Sequence, residues 1–477
     1  MGIETAQITA GEQVNNDPST AVFLDIDLGD PDQVRGVFYK NKNDRPSIDV
    51  SFHSQGQVDP AQLIERVWDW LRGPKACPQN STYDTLIETT IRNIYDPSKL
   101  GNIESLRNKY NCQIKNDDDA IKFADEALKV TGDPFTDVLD PQQVRMLKRS
   151  MEGNISGIGA QFGPKKEGDR SPLVLQSTVP GSPAAEAGLQ QGDVIVKVNG
   201  NDISKMTQQE AINLVTGPAD TKVKLTVLRD GKELPVELTR KVIDFPAVSE
   251  KTLDGNVAYI SVRDFMQTDL VDEMKAALTK HRDAKAYIID MRNNGGGRVD
   301  NAILLAGMFI KEGKVLGLRQ RSDSPADRPK HVDIDFSLNS RRVIASSNRD
   351  SEVLMDRVPD MVDKPVIVLV NENSASAAEL FSGALRDHGD AKLLGTTTYG
   401  KGISQTIYQD MPAGTWLQVT TARYFTPNGT WVGDGHNERH GLKPDWTVNN
   451  PKDTELGSAG DVQLNTALEK LRQQLSK

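Results

Sequence analysis

The stretch 366–405, VIVLVNENSASAAELFSGALRDHGDAKLLGTTTYGKGISQ, constrains the fold of this chain more than any other. Val366, Ile367, Val368, Leu369 and Val370 are an unbroken run of apolar β-formers, as a buried strand requires. A polar turn follows at 371–374. Residues 375–385 are rich in helix formers and lack proline, so a helix should open near Ser376. After Gly389 comes a second apolar strand, roughly 391–395, and then a glycine-flanked lysine in Tyr399-Gly400-Lys401-Gly402, with Gln405 four residues on. Strand, helix and strand in this order belong to an α/β layer.

A serine at a helix start faces backbone N–H groups and the positive helix end, which favour a developing negative charge. It becomes a nucleophile only when a base takes its proton. Lys401 can be that base if burial leaves its amine neutral, and Gly400 and Gly402 let the loop come close. The Gln405 amide could orient the amine without adding a charge that holds it protonated. A plainer reading fits the same residues. Ser376 with Glu379 three positions later is also a capping box, and a Gly-Lys-Gly loop is commonly a solvated turn.

The stretch resembles the active-site region of the C-terminal processing proteases, the tail-specific proteases of peptidase family S41. The resemblance lies in the turn Ser374-Ala375-Ser376-Ala377-Ala378-Glu379, in the Tyr399-Gly400-Lys401-Gly402 loop 25 residues beyond Ser376, and in Gln405. It implies Ser376 as nucleophile, Lys401 as general base and Gln405 as the orienting residue, with Ser374 a bystander.

Composition narrows the class. With 57 basic and 67 acidic residues the net charge is −10, a poor match to a nucleic-acid or anionic-membrane binder. No stretch approaches 18 apolar residues, so no transmembrane span is expected. The first residues carry neither a basic region nor an apolar run, so no signal peptide is expected. The compartment is left open: the family is usually periplasmic, lumenal or otherwise extracytoplasmic, and a cytoplasmic protein fits the chain as written. Cys77 and Cys112 are too few for a disulfide framework and are read as free structural thiols, with one bridge as the alternative.

Four regions are expected. Residues 1–58 hold short strands near 36–39 and 48–52 and carry no readable role. Residues 59–152 are helical by periodicity, opening at Asp59-Pro60 with Leu63, Ile64, Val67, Trp68 and Leu71 on one stripe. Residues 153–243 alternate like short strands, with an Asn199-Gly200 hairpin turn, a helix over 207–215 and an Asp230-Gly231 turn. That order resembles a PDZ domain. The resemblance puts Gly157, Ile158, Gly159 and Ala160 in the loop that binds a chain-terminal carboxylate, and makes the strand edge and the 207–215 helix a peptide groove.

Residues 244–477 form the last region. There 286–291 is a buried strand running into Arg292-Asn293-Asn294-Gly295-Gly296-Gly297. The spacing matches neither a P-loop nor a dinucleotide fingerprint. It is similar to the processing-protease segment Asp-Leu-Arg-x-Asn-Pro-Gly-Gly, with Gly295 where the family has Pro. The resemblance implies an oxyanion hole from the Gly296 and Ala377 N–H groups, worth about 3 kcal/mol of barrier each. Residues 312–363 read as a charged insertion, with 319–325 and 346–350 as mobile loops.

The implied fold is a multidomain α/β chain. Its parts are a crotonase- or ClpP-like protease core, an inserted PDZ β-domain and a mostly helical N-terminal region. The implied function is a Ser–Lys serine endopeptidase that docks the C-terminal ends of protein substrates, with no metal and no cofactor. A homo-oligomer is left open. Two rivals share features with it: a crotonase-like acyl-CoA enzyme and a catalytically silent PDZ scaffold. A Ser-His-Asp hydrolase lacks its Gly-x-Ser-x-Gly elbow here, and His436 and His440 are read as surface residues.

Overall fold

The computed structural model describes residues 80–477, apart from 153, 164–170, 172, 180, 207, 245, 323–330, 349, 360, 452–453 and 477, together with four strands within 1–79. The chain forms two compact units, Met1–Pro78 and Gln79–Lys477. In the first, the strands Ile8–Ala10, Ala21–Asp27, Gln33–Tyr39 and Ser47–His53 pair antiparallel in chain order, which includes both short strands expected there. The helix expected to open at Asp59-Pro60 lies outside the described residues.

The second unit is built on a six-stranded sheet in the order Val248–Leu253, Val257–Val262, Ala286–Asp290, Val366–Val370, Ala391–Gly395, Trp446–Thr447. Every pairing but the first is parallel. Alternation along the strands sends Ile289, Val366, Val368 and Val370 to one face, against helices Leu270–Lys280, Val299–Ala306 and Ala377–His388. Ile288, Ile367 and Leu369 point the other way, onto Leu464, Ala467 and Leu471 of helix Val462–Leu475. Both faces are covered, which is why these strands read as unbroken apolar runs.

A second sheet lies alongside, in the order Ser351–Asp356, Arg342–Ser347, His331–Leu338, Gly313–Arg321, Trp416–Phe425, Ile403–Tyr408. Four strands of the charged insertion, from Gly313 to Asp356, thus pair antiparallel in chain order; of the two loops expected in it, 323–325 and 349 lie outside the described residues. Residues 319–321 pair with both His331–Leu338 and Trp416–Phe425, and 346–347 lie in a strand ending at a tight turn. Charged side chains on this solvent-facing sheet hid its strand character; Arg319 and Asp333, for instance, pair across two strands at 2.6 Å. The short strand Asp137–Leu139 adds to Trp416–Gln418, and helices Ser81–Asn93 and Asp117–Leu128 bury Leu86, Ile87, Ala124 and Leu128 against Leu417 and Val419. Cys112 is disulfide-bonded, contrary to the expected free thiol; the only other cysteine, Cys77, lies outside the described residues. No helix among the described residues is long and apolar enough to cross a membrane.

The third sheet orders Lys232–Thr239, Lys222–Arg229, Val194–Val198, Leu173–Thr178 and Ala160–Gly163, with helix Gln208–Val215 packed on it through Ala211 and Val215. Asn199 and Gly200 both take positive φ, 50° and 84°, as a two-residue hairpin turn demands.

Candidate active site

Val366–Val370 and Ala286–Asp290 are neighbouring parallel strands, so the turns after them meet at one end of the sheet. The first turn is held by Ser374. Its hydroxyl donates to Met291 O at 2.8 Å and accepts from Asn371 N at 2.9 Å, and its carbonyl accepts from Tyr399 N at 2.9 Å. Ser374 is thus a staple of the turn rather than a bystander. Ala375 N donates to Asn294 O at 2.9 Å, joining the two turns. Ser376 follows with φ +54° and ψ −119°, a backbone that non-glycine residues adopt at a cost of about 1–3 kcal/mol and that marks functional turns. Helix Ala377–His388 begins directly after it.

Glu379 organises the site. Its side chain is fully buried and accepts four hydrogen bonds. Oε2 takes Ser376 N at 2.9 Å and Lys401 N at 2.8 Å; Oε1 takes Gly400 N at 2.8 Å and the Thr398 hydroxyl at 2.5 Å. Burial pushes its carboxyl above the usual range, and the four donors oppose that shift. The capping box seen in the sequence is present in part as this Ser376–Glu379 bond, and it serves the loop of Lys401 as well.

Burial lowers the Lys401 amine below its ordinary value, with Asp133 and Glu379 pulling the other way. Its Nζ lies 4.1 Å from the centre of the Phe135 ring. Among the described residues no hydrogen bond joins it to Ser376 Oγ. The two residues are brought together through their backbones, while the side chains are not engaged. Gln405 is held elsewhere. It pairs with Thr420 in the strand register, and its amide donates to Thr420 Oγ1 at 3.1 Å rather than to Lys401. Phe135 itself is fixed by an Asx turn on Asp133 and by Gln418 Nε2, which donates to its carbonyl at 3.0 Å. A small cleft of about 40 Å³, open to solvent, is lined by Phe135 with Asp133, Ile403, Arg423 and Asp434.

The glycine loop departs from expectation. Gly296 N–H, expected in the oxyanion hole, donates within the loop to Asn294 Oδ1 at 2.9 Å. Asn294 is fully buried, and its Nδ2 donates to Val262 O at 2.8 Å, which fixes the amide's orientation. Gly296 matters through its missing side chain: a Cβ there would lie 2.7 Å from Ser376 Cβ. Among the described residues the N–H groups of Gly297 and Ala377 have no acceptor. Glu379, Asn294 and Phe135 were missed as site residues from sequence. Only Glu379 carried a signal, its place in the capping box.

Gly157 ends a strand paired to Lys241–Asp244 in a separate two-stranded sheet, and Ala160 opens Ala160–Gly163, the edge strand of the third sheet. The Ile158 and Gly159 carbonyls accept from Ala184 N and Val179 N. Their N–H groups have no acceptor among the described residues. Gly159 has φ +71°, and a Cβ there would sit 2.2 Å from that of Ser182. His436 and His440 are exposed, and the described residues contain no cluster suited to a metal ion.

The fold is an α/β sheet that carries a strained serine turn and a buried lysine loop, together with a small β-domain. Comparison with known proteins gives the family. Residues 256–448 match the model of Peptidase family S41 and residues 176–229 that of a PDZ domain. The carboxyl-terminal-processing protease of Synechocystis sp. is 32% identical over 379 residues, covering 77% of this chain and 80% of that protein. A probable CtpA-like serine protease of Staphylococcus aureus is 34% identical over 75% of this chain. The chain spans 66% of that relative's length. The solved photosystem II D1 C-terminal processing protease superposes with a TM-score of 0.52 at 25% identity, over 80% of this chain and 98% of that one. The chain belongs to peptidase family S41 and carries a PDZ domain.

Proposed function

We propose that this chain is a serine endopeptidase that docks the C-terminal ends of unfolded or flexible protein substrates and cleaves them by a Ser–Lys mechanism. One observation carries the reading: the amides of Ser376 and Lys401 share one oxygen of Glu379, beside a serine of strained backbone and a lysine whose burial favours the neutral amine. Lys401 takes the Ser376 hydroxyl proton as Oγ attacks the scissile carbonyl, then gives it to the leaving amine. The oxyanion is held by the N–H groups of Ala377 and Gly297, the latter replacing Gly296, whose donor is spent on Asn294. Water then releases the acyl group. Engagement requires Lys401 Nζ to leave the Phe135 ring and Gln405 to turn from Thr420 if it is to steady the amine.

The free N–H groups at Ile158 and Gly159 and the open edge of Ala160–Gly163 support capture of a chain-terminal carboxylate by strand addition. The disulfide at Cys112 favours an oxidising compartment.

The test is cleavage of an unstructured protein made in two versions, one with an apolar uncharged tail and one with a charged tail. Wild type, Ser376→Ala and Lys401→Ala are compared. Cleavage that favours the apolar tail and is absent in both variants is the expected result. Retained cleavage in either variant would overturn the Ser–Lys assignment.

A further inference from the structure

One buried hydroxyl touches both Ser376 and Lys401. Tyr424 lies in strand Trp416–Phe425 and is 2% exposed. Its Oη donates to Ser376 O at 2.9 Å and also to Lys401 O. Its backbone N donates to Gly402 O at 3.0 Å, so the tyrosine is tied to the Lys401 loop by main chain and side chain together. We propose that Tyr424 is a positioning residue that sets the spacing of nucleophile and base, and that it does so by sharing one proton between their carbonyls. This inference rests on the Ser–Lys reading above.

The two carbonyls are not equally dependent on that proton. Ser376 O also accepts from Leu380 N at 2.9 Å, the first turn of its helix. Lys401 O has no second donor among the described residues. Glu379 holds the same two residues by their N–H groups. Each of the two residues is therefore clamped at both ends of its backbone by the same pair of side chains. A clamp on one side alone would leave a hinge; two clamps define a distance. The hydroxyl is suited to the role because burial pushes its ionisation well above the ordinary tyrosine value, so it remains a donor at every pH where the protein works. The ring contributes separately, as part of the core that also holds Phe381 and Val432.

Tyr424→Phe removes the hydroxyl and keeps the ring. The Lys401 loop then loses its carbonyl partner, and the proposed base is free to drift and hydrate. A misplacement of about 1 Å at a reacting group costs on the order of 100-fold, so kcat should fall about 10- to 100-fold with KM within about 2-fold. A second readout separates positioning from mere stability. Lys401 is faced by Asp133, Glu379 and, across an isolated bridge, Asp434. None of these is altered by the substitution. Hydration alone raises the lysine toward its ordinary value, so the acid limb of kcat/KM should move to higher pH. Leu471→Ala, in the separate core on the other face of the sheet, serves as a destabilised control that lowers Tm without moving the limb.

A fall in amplitude with an unmoved limb would make Tyr424 merely structural and overturn the proposal. So would wild-type kcat in Tyr424→Phe while Ser376→Ala is inactive, with the proteolytic reading left standing. Activity in Ser376→Ala would remove the proteolytic reading and this inference with it.

Discussion

Ser376 and Lys401, 25 residues apart in the chain, present their backbone N–H groups to the same atom, Oε2 of Glu379, at 2.9 and 2.8 Å. The other oxygen takes Gly400 N and the Thr398 hydroxyl. Four donors converge on a group that, ionised, only accepts. Glu379→Gln keeps the shape but turns an NH2 toward two of those donors. A buried donor left unsatisfied costs about 1–3 kcal/mol, and here two lose their acceptor at once. We expect kcat/KM on an unstructured substrate to fall at least about 100-fold and Tm to drop by several degrees. Wild-type turnover in this variant would show that the shared oxygen does not set the site.

Neighbouring glycines in the 295–297 loop should respond oppositely to alanine. At Gly296 a Cβ would lie 2.7 Å from Ser376 Cβ and 2.8 Å from Ala375 O, and φ is +96°. At Gly295 nothing stands within 4 Å and φ is not in the left-handed region. Gly296→Ala should abolish cleavage with the fold retained by circular dichroism, since the clash falls on the serine turn. Gly295→Ala should cleave within about 3-fold of wild type, or faster if a stiffer loop helps. Equal effects at both positions would mean that the loop does not pack on Ser376 as described.

The strand–turn–helix around Ser376 was legible because its signals are local: five apolar residues, a polar turn, a run of helix formers. Lys401 was legible through its glycines. The partners of these residues were not. Asn294 reaches Gly296 N through a side chain whose bond depends on how the loop closes, and Phe135 meets Lys401 only because Asp137–Leu139 joins a strand almost 280 residues later. Gln405 shows the limit of spacing as evidence. A β-strand sends it toward Thr420, and only the side chain's rotation decides whether the lysine is in reach. The strands of 313–356 were partly missed because their charged faces imitate loop composition, although each pairs with its neighbour in the chain.

The rate should depend on pH through Lys401. The proposed base works only when neutral, and burial lowers its ionisation below the ordinary 10.5. Cleavage should therefore rise with pH through a single step centred below that value, and be absent well below it. Lys401→Arg keeps a cation that does not deprotonate in the working range, and should be inactive at every pH. An active Lys401→Arg enzyme, or a pH profile unchanged by substitution at this position, would exclude lysine as the base.

Stability should carry a separate pH signature near the other end of the Phe135 segment. Asp137 stands at the start of the strand that pins this segment to Trp416–Gln418, and its carboxyl is raised from 3.8 to about 6 by burial and by a hydrogen bond with Asp125. The folded chain thus holds this proton more tightly than the unfolded chain. The resulting stability is fully present below about pH 4 and is lost as pH rises through about 6. Asp137→Asn cannot ionise, yet its amide still offers Asp125 a donor. At pH 7.5 the variant should be more stable than wild type by on the order of 1–2 kcal/mol, and at pH 4 the two should nearly coincide. Urea unfolding at the two pH values measures the difference directly. A gap of the same size at both would mean that the Asp125–Asp137 pair does not share a proton, and that the strand is pinned by its backbone bonds and Val138 alone.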